Sequence, residues 1–129
     1  MSSNKSQNIP DYEKLSDILI EIKKEGKFSG VFLSYLDGRL LIKETQENYN
    51  LKDFIPMIAS VLKSADGLGK TIGGRKLNKI IAQLEDISLM ILRNNERNMF
   101  LTLIINEFSR VNSVLDNINI YFKKINQYC

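Results

Sequence analysis

Apolar residues recur along this chain with two periods, and the changes from one to the other divide it into elements. After Pro10-Asp11, which offers a helix start, Tyr12, Leu15, Ile18, Leu19 and Ile22 return at helical spacing until Gly26 ends the run, predicting an amphipathic helix. Residues 30–36 then read as a strand, Asp37-Gly38 as a tight hairpin turn, and residues 39–43 as its partner. A polar connector over 44–52 leads to Asp53, the expected N-cap of a long helix, with Pro56 in a first turn whose amides need no partner. Past Gly73-Gly74, residues 76–84, 87–93 and 99–105 have strand character and are joined by turns at Glu85-Asp86 and 94–96, which predicts an antiparallel meander. The last two of these strands are apolar almost throughout, so both faces of the sheet must be covered. A final helix capped near Asn106 carries Phe108, Val111, Val114, Leu115, Ile118, Phe122 and Ile125 on one face.

The expected fold is α/β (α+β) in the order α-β-β-α-β-β-β-α. It has a five-stranded antiparallel sheet, the first and last helices on one face and the long middle helix on the other. Residues 1–10 are expected to be a disordered leader and residues 11–126 a single domain.

The long helix is apolar around too much of its circumference. Placed at about 100° per residue, Phe54, Met57, Ile58, Val61, Ala65, Leu68 and Ile72 fall on one stripe, with Ile55, Ala59, Leu62 and Gly69 beside it. Together they span about 200°, where about 100° is enough to pack against one layer. The polar remainder is Ser60, Lys63, Ser64, Asp66, Lys70 and Thr71. One side of the helix buries against the chain's own sheet, and the surplus calls for a second subunit or, failing that, for a loop or terminus of the same chain to cover it. The strand over 76–84 differs from the others, because Lys76, Asn78, Lys79 and Gln83 interrupt its apolar positions. It reads as a sheet edge, where lysine blunts unwanted pairing but two copies can also join their sheets.

Composition removes several classes of chemistry. The 129 residues are enough to bury a core without disulfides or metals. There is no histidine, hence neither the commonest general base nor the commonest metal ligand. The one cysteine, Cys129, is the last residue and is expected to be an exposed free thiol; the ending lacks the residues a prenylation signal places after its cysteine. The N-terminus has no signal-peptide pattern and no stretch is apolar enough to span a membrane, so the chain is expected to be cytoplasmic. A net charge of +3 is too slight to imply nucleic acid, and Lys70, Arg75, Lys76 and Lys79 lack interleaved aromatic residues. A solvated loop is the simplest reading of that basic cluster.

The order of elements resembles that of the roadblock family, which comprises dynein light chains (Roadblock/LC7) and MglB-like small-GTPase regulators. The likeness extends from Leu15 to Ile125 and rests on the order and spacing of several segments. Residues 30–38 are similar to the family's apolar strand followed by Asp-Gly, residues 58–69 to its long helix rich in small residues, and residues 77–84 to its edge strand. The resemblance implies a homodimer or heterodimer in which the long helices pack side by side and the edge strands join into one sheet. It would place Ile55, Ala59, Leu62, Asp66 and Gly69 on the helix seam and Leu77, Lys79 and Ile81 along the strand seam. It also implies a non-enzymatic scaffold or regulator that binds a Ras-like small GTPase and modulates or localises it, without cofactor or metal. The exposed Ser60, Lys63 and Lys70 of the paired helices would then be candidates for the partner surface.

Two other readings compete. Residues 64–71 come within one residue of the phosphate-binding pattern G-x-x-x-x-G-K-[ST], with Ser64 where the first glycine belongs. A phosphate loop needs a strand before it and a helix after it; here a helix precedes and a strand follows. That makes a nucleotide-binding enzyme using Lys70 and Thr71 the remote alternative. Glu85-Asp86 sits in a predicted turn and supports neither a glycosidase nor a metal site. A monomeric profilin-like or longin-like cytoskeletal or trafficking adaptor shares the layered architecture, but the chain has no tryptophan for an aromatic polyproline-binding surface.

Overall fold

The computed structural model describes residues 9–129, so the leader expected at 1–10 falls, over its first eight residues, outside the described residues. Helix α1, Tyr12–Gly26, starts where the sequence signals it: the Asp11 carboxylate accepts from the Lys14 amide at 3.1 Å and satisfies one amide of the first turn. Strands β1 (Gly30–Tyr35) and β2 (Leu40–Thr45) form the expected hairpin. Gly38 has φ +96°, a conformation that a side chain would strain, and its amide donates to the Tyr35 carbonyl at 2.9 Å. The Asp37 carboxylate accepts from the Arg39 amide (3.0 Å) and from Arg39 Nε (2.7 Å). The amide bond first, then the guanidinium, holds the Asp37 carboxyl below its ordinary range.

Helix α2, Leu51–Thr71, begins earlier than the sequence suggested. Asn50, not Asp53, occupies the N-cap position, and Asp53 lies in the first turn, where its carboxylate accepts from Asn50 Nδ2 at 2.9 Å. Pro56 is therefore in the second turn, inside the helix, where its missing N–H leaves a gap in the ladder. The connector is correspondingly shorter than 44–52, since β2 takes Glu44 and Thr45 and α2 takes Leu51 and Lys52.

Strands β3 (Lys79–Gln83), β4 (Ser88–Asn94) and β5 (Met99–Ile105) form the meander, and the sheet order is β2-β1-β5-β4-β3, antiparallel throughout. β3 is shorter than the predicted 76–84, and it does lie at an edge. The single final helix is two: α3 (Val111–Leu115) and α4 (Ile118–Tyr128). The chain tightens between them, with the Asn117 amide donating to the Val114 carbonyl at 3.0 Å, three residues back rather than four. Phe108 precedes both helices and is 73% exposed, so it is no part of their apolar face.

Strand alternation sends side chains to two cores. Val31, Leu33, Met90, Leu101 and Leu103 meet Leu15, Leu19 and Ile22 of α1 together with Val114, Tyr121 and Ile125 of α3 and α4. Phe32, Leu89, Ile91, Phe100 and Ile104 point the other way, onto α2. The two-faced burial that makes β4 and β5 nearly continuous in apolar residues is thereby accounted for.

Candidate functional site

The apolar surplus of α2 is present, but divided between core and solvent in the opposite sense to the one expected. Ile55, Ile58, Ala59 and Leu62, spaced i, i+3, i+4, i+7, are 1%, 5%, 4% and 1% exposed and pack on the sheet. Ile55, Ala59 and Leu62, assigned above to a seam between subunits, have almost no surface left to offer a partner. The residues left in solvent are Met57, Val61, Leu68 and Ile72, 46–68% exposed. At helical spacing Met57, Val61 and Leu68 lie within about 40° of arc and Ile72 follows as the C-cap, an apolar row interrupted at Ser64. Spacing alone does not distinguish the two stripes, since Phe54, Met57, Ile58 and Val61 recur at the same i, i+3, i+4, i+7 intervals.

The remaining assigned residues fall in different places. Asp66 is half-buried and pairs with Arg93 Nη1 of β4, tying the helix to the sheet, while Arg93 Nε is buried without a partner. Gly69 is where the chain closes after the helix: its carbonyl accepts from the amides of Ile72 (3.3 Å) and Arg75 (2.9 Å), and a Cβ there would collide with the Arg75 carbonyl oxygen. Leu77 is half-buried against the α2 core, whereas Lys79 and Ile81 are exposed on the open edge of β3. Ser60, Lys63 and Lys70 are exposed on α2.

The residues of the near-match to a phosphate loop fall at a helix end. Lys70 and Thr71 are the last residues of α2, and Thr71 Oγ1 donates to the Leu68 carbonyl at 2.7 Å. That helix end presents carbonyl oxygens, the wrong polarity for a phosphate. Among the described residues no group of three His, Cys, Asp or Glu is placed to hold a metal ion. An open hollow of about 860 Å³ between the end of β4 and α4 is rimmed by Asn78, Asn95, Asn119 and Asn126; its one carboxylate, Glu96, accepts from Asn126 Nδ2 at 3.0 Å. Cys129 is half-buried rather than exposed, its sulfur 3.7 Å from Met99 Sδ, and burial pushes its thiol up to about 11. Among the described residues no helix is long and apolar enough to cross a membrane.

No family model matches the sequence, and no curated protein matches it. Solved structures do match the fold. MglB of Myxococcus xanthus superposes with a TM-score of 0.79 at 19% identity, over 89% of this chain and 94% of that one. A Roadblock/LC7 domain from Streptomyces avermitilis superposes at 0.76 with 10% identity, over 88% and 95%. LokiProfilin1 follows at 0.58 with 15% identity, over 91% and 98%. The chain has the roadblock/MglB fold.

Proposed function

We propose that this chain is a non-enzymatic dimeric platform that binds a Ras-like small GTPase and modulates or localises it. The observation that carries the reading is the exposed row Met57, Val61, Leu68 and Ile72 on α2. Such a row on a small globular chain marks a protein contact, and the roadblock fold of the chain fits a contact made helix to helix. The row has Ser64 and Ala65 near its centre, small residues that let two antiparallel helices approach closely. The open edge of β3 supports the reading independently, because its outward backbone groups need a partner or water. In the dimer the exposed Ser60, Lys63 and Lys70 of both helices would form the GTPase-facing surface. The seam proposed on α2 is thus Met57, Val61, Leu68 and Ile72, and that on β3 retains Lys79 and Ile81.

The test is binding of the purified chain to Ras-like GTPases loaded with GDP or with a non-hydrolysable GTP analogue, followed by calorimetry. Binding that differs at least tenfold between the two nucleotide states is expected, and it should disappear in Lys63→Glu/Lys70→Glu. Equal or absent binding across the small GTPases of the source organism would overturn the GTPase assignment.

A further inference from the structure

The sheet register fixes which backbone groups β3 turns outward. The Arg93 amide donates to the Asn78 carbonyl (3.0 Å) and the Leu84 amide to the Ile87 carbonyl (2.8 Å), so the even-numbered positions of β3 bond to β4. In an antiparallel ladder the alternate residues point the other way. The free N–H and C=O groups on the edge are therefore those of Lys79, Ile81 and Gln83. A two-fold axis placed at Ile81 engages all three residues of both copies, with Ile81 opposite the partner's Ile81 and Lys79 opposite the partner's Gln83. An axis at Lys79 would set two lysines face to face, which is unfavourable.

Charge flanks this edge with opposite signs. Arg75 and Lys76 lie in the segment entering β3, Glu85 and Asp86 in the turn leaving it, and all four are exposed. Antiparallel pairing about Ile81 lays the start of β3 in each copy beside the end of the partner's β3, so the basic segment of one copy faces the acidic turn of the other. The described ion pairs are Arg39–Asp37, Arg93–Asp66 and Lys124–Glu21, which leaves Lys76, Glu85 and Asp86 unpaired among the described residues. We infer that the β3 edge is self-complementary and that its occupant is a second copy of this same chain, held in the register centred on Ile81 by reciprocal contacts between Arg75/Lys76 and Glu85/Asp86. This rests on the dimer reading above and deepens it: the flanking charges select like for like and exclude a related chain that carries another pattern at these four positions.

The test uses full-length chains. An acid-ended variant (Arg75→Glu/Lys76→Glu) and a base-ended variant (Glu85→Lys/Asp86→Lys) each place like charges at both junctions. Each alone should show a dimer dissociation constant at least tenfold above that of the unmodified chain by light scattering, while mixing them should restore a two-chain species with one of each by native mass spectrometry. A third variant, Lys76→Asp/Asp86→Lys, keeps the net charge and should dimerise with itself but exchange poorly with the unmodified chain. Thermal unfolding of each isolated variant checks that the fold is kept, and the third variant remains decisive should either of the others fold poorly. If the unmodified chain is dimeric and the variants match its affinity, or the mixture stays monomeric, the charge-held register is wrong while the dimer reading stands. If the unmodified chain is monomeric at all concentrations, the dimer reading falls and this inference with it.

Discussion

Single residues on α2 separate folding from association. Leu62 is 1% exposed in the core beneath the helix, so Leu62→Ala should destabilise the chain by about 2–5 kcal/mol in chemical denaturation. Leu62→Lys should go further and leave no folded chain to weigh, because it buries an unpaired charge. Thr102 offers the converse case: its hydroxyl is wholly buried on the same face without a hydrogen-bond partner. Thr102→Val should match or exceed the parent stability, by about 1 kcal/mol. Cys129 tests burial by chemistry. A thiol at about 11 holds on the order of a hundredfold less thiolate at pH 8 than one at 9, so alkylation by iodoacetamide should be slow and should accelerate as pH rises toward 11. Because the folded value is raised, the associated stability is complete below the unfolded value and is lost as pH climbs through the folded one. The position of Cys129 beside Met99 was not legible in the sequence, since a terminal residue's burial depends on where the last helix ends against the sheet.

At the scale of elements, α2 shows how far a hydrophobic pattern reaches. Its existence and its excess of apolar surface follow from the spacing of some eleven residues; which of two adjoining stripes turns inward onto Phe32, Phe100 and Ile104 does not, because both are apolar and share the same opening intervals. Leu68 is the element's most informative position. It is 68% exposed, so Leu68→Lys should leave the unfolding free energy within about 0.5 kcal/mol of the parent when compared in the monomeric state, yet dissociate the proposed dimer. Lys70→Ala should alter neither stability nor nucleotide binding, the latter being undetectable in both chains by fluorescent-nucleotide titration; acquisition or loss of binding would revive the phosphate-loop reading. The α3–α4 break escaped detection for a different reason. Asp116 and Asn117 are tolerated in a helix, and only the competing i to i−3 bond of Asn117 marks the boundary. Edge character in β3 was readable, by contrast, since lysine and amide side chains interrupt it, whereas β4 has polar residues only at its ends and β5 only Thr102.

For the whole molecule, the layered arrangement follows from one constraint: two strands apolar on both faces demand helices on both sides. That constraint is shared by the roadblock and profilin architectures, and so the fold alone leaves monomer and dimer open. What distinguishes them is the apolar surface remaining after both layers are in place. A monomeric adaptor gives no reason for Met57, Val61, Leu68 and Ile72 to align in solvent on α2 and its C-cap, whereas the proposed pair of antiparallel helices would cover them. The most direct test is the solution mass of the unmodified chain beside Leu68→Lys by light scattering over a low-micromolar dilution series. The dimeric platform predicts twice the chain mass for the unmodified protein and a single chain mass for a folded Leu68→Lys. A single chain mass for both, or twice the chain mass for both, would contradict the seam proposed on α2.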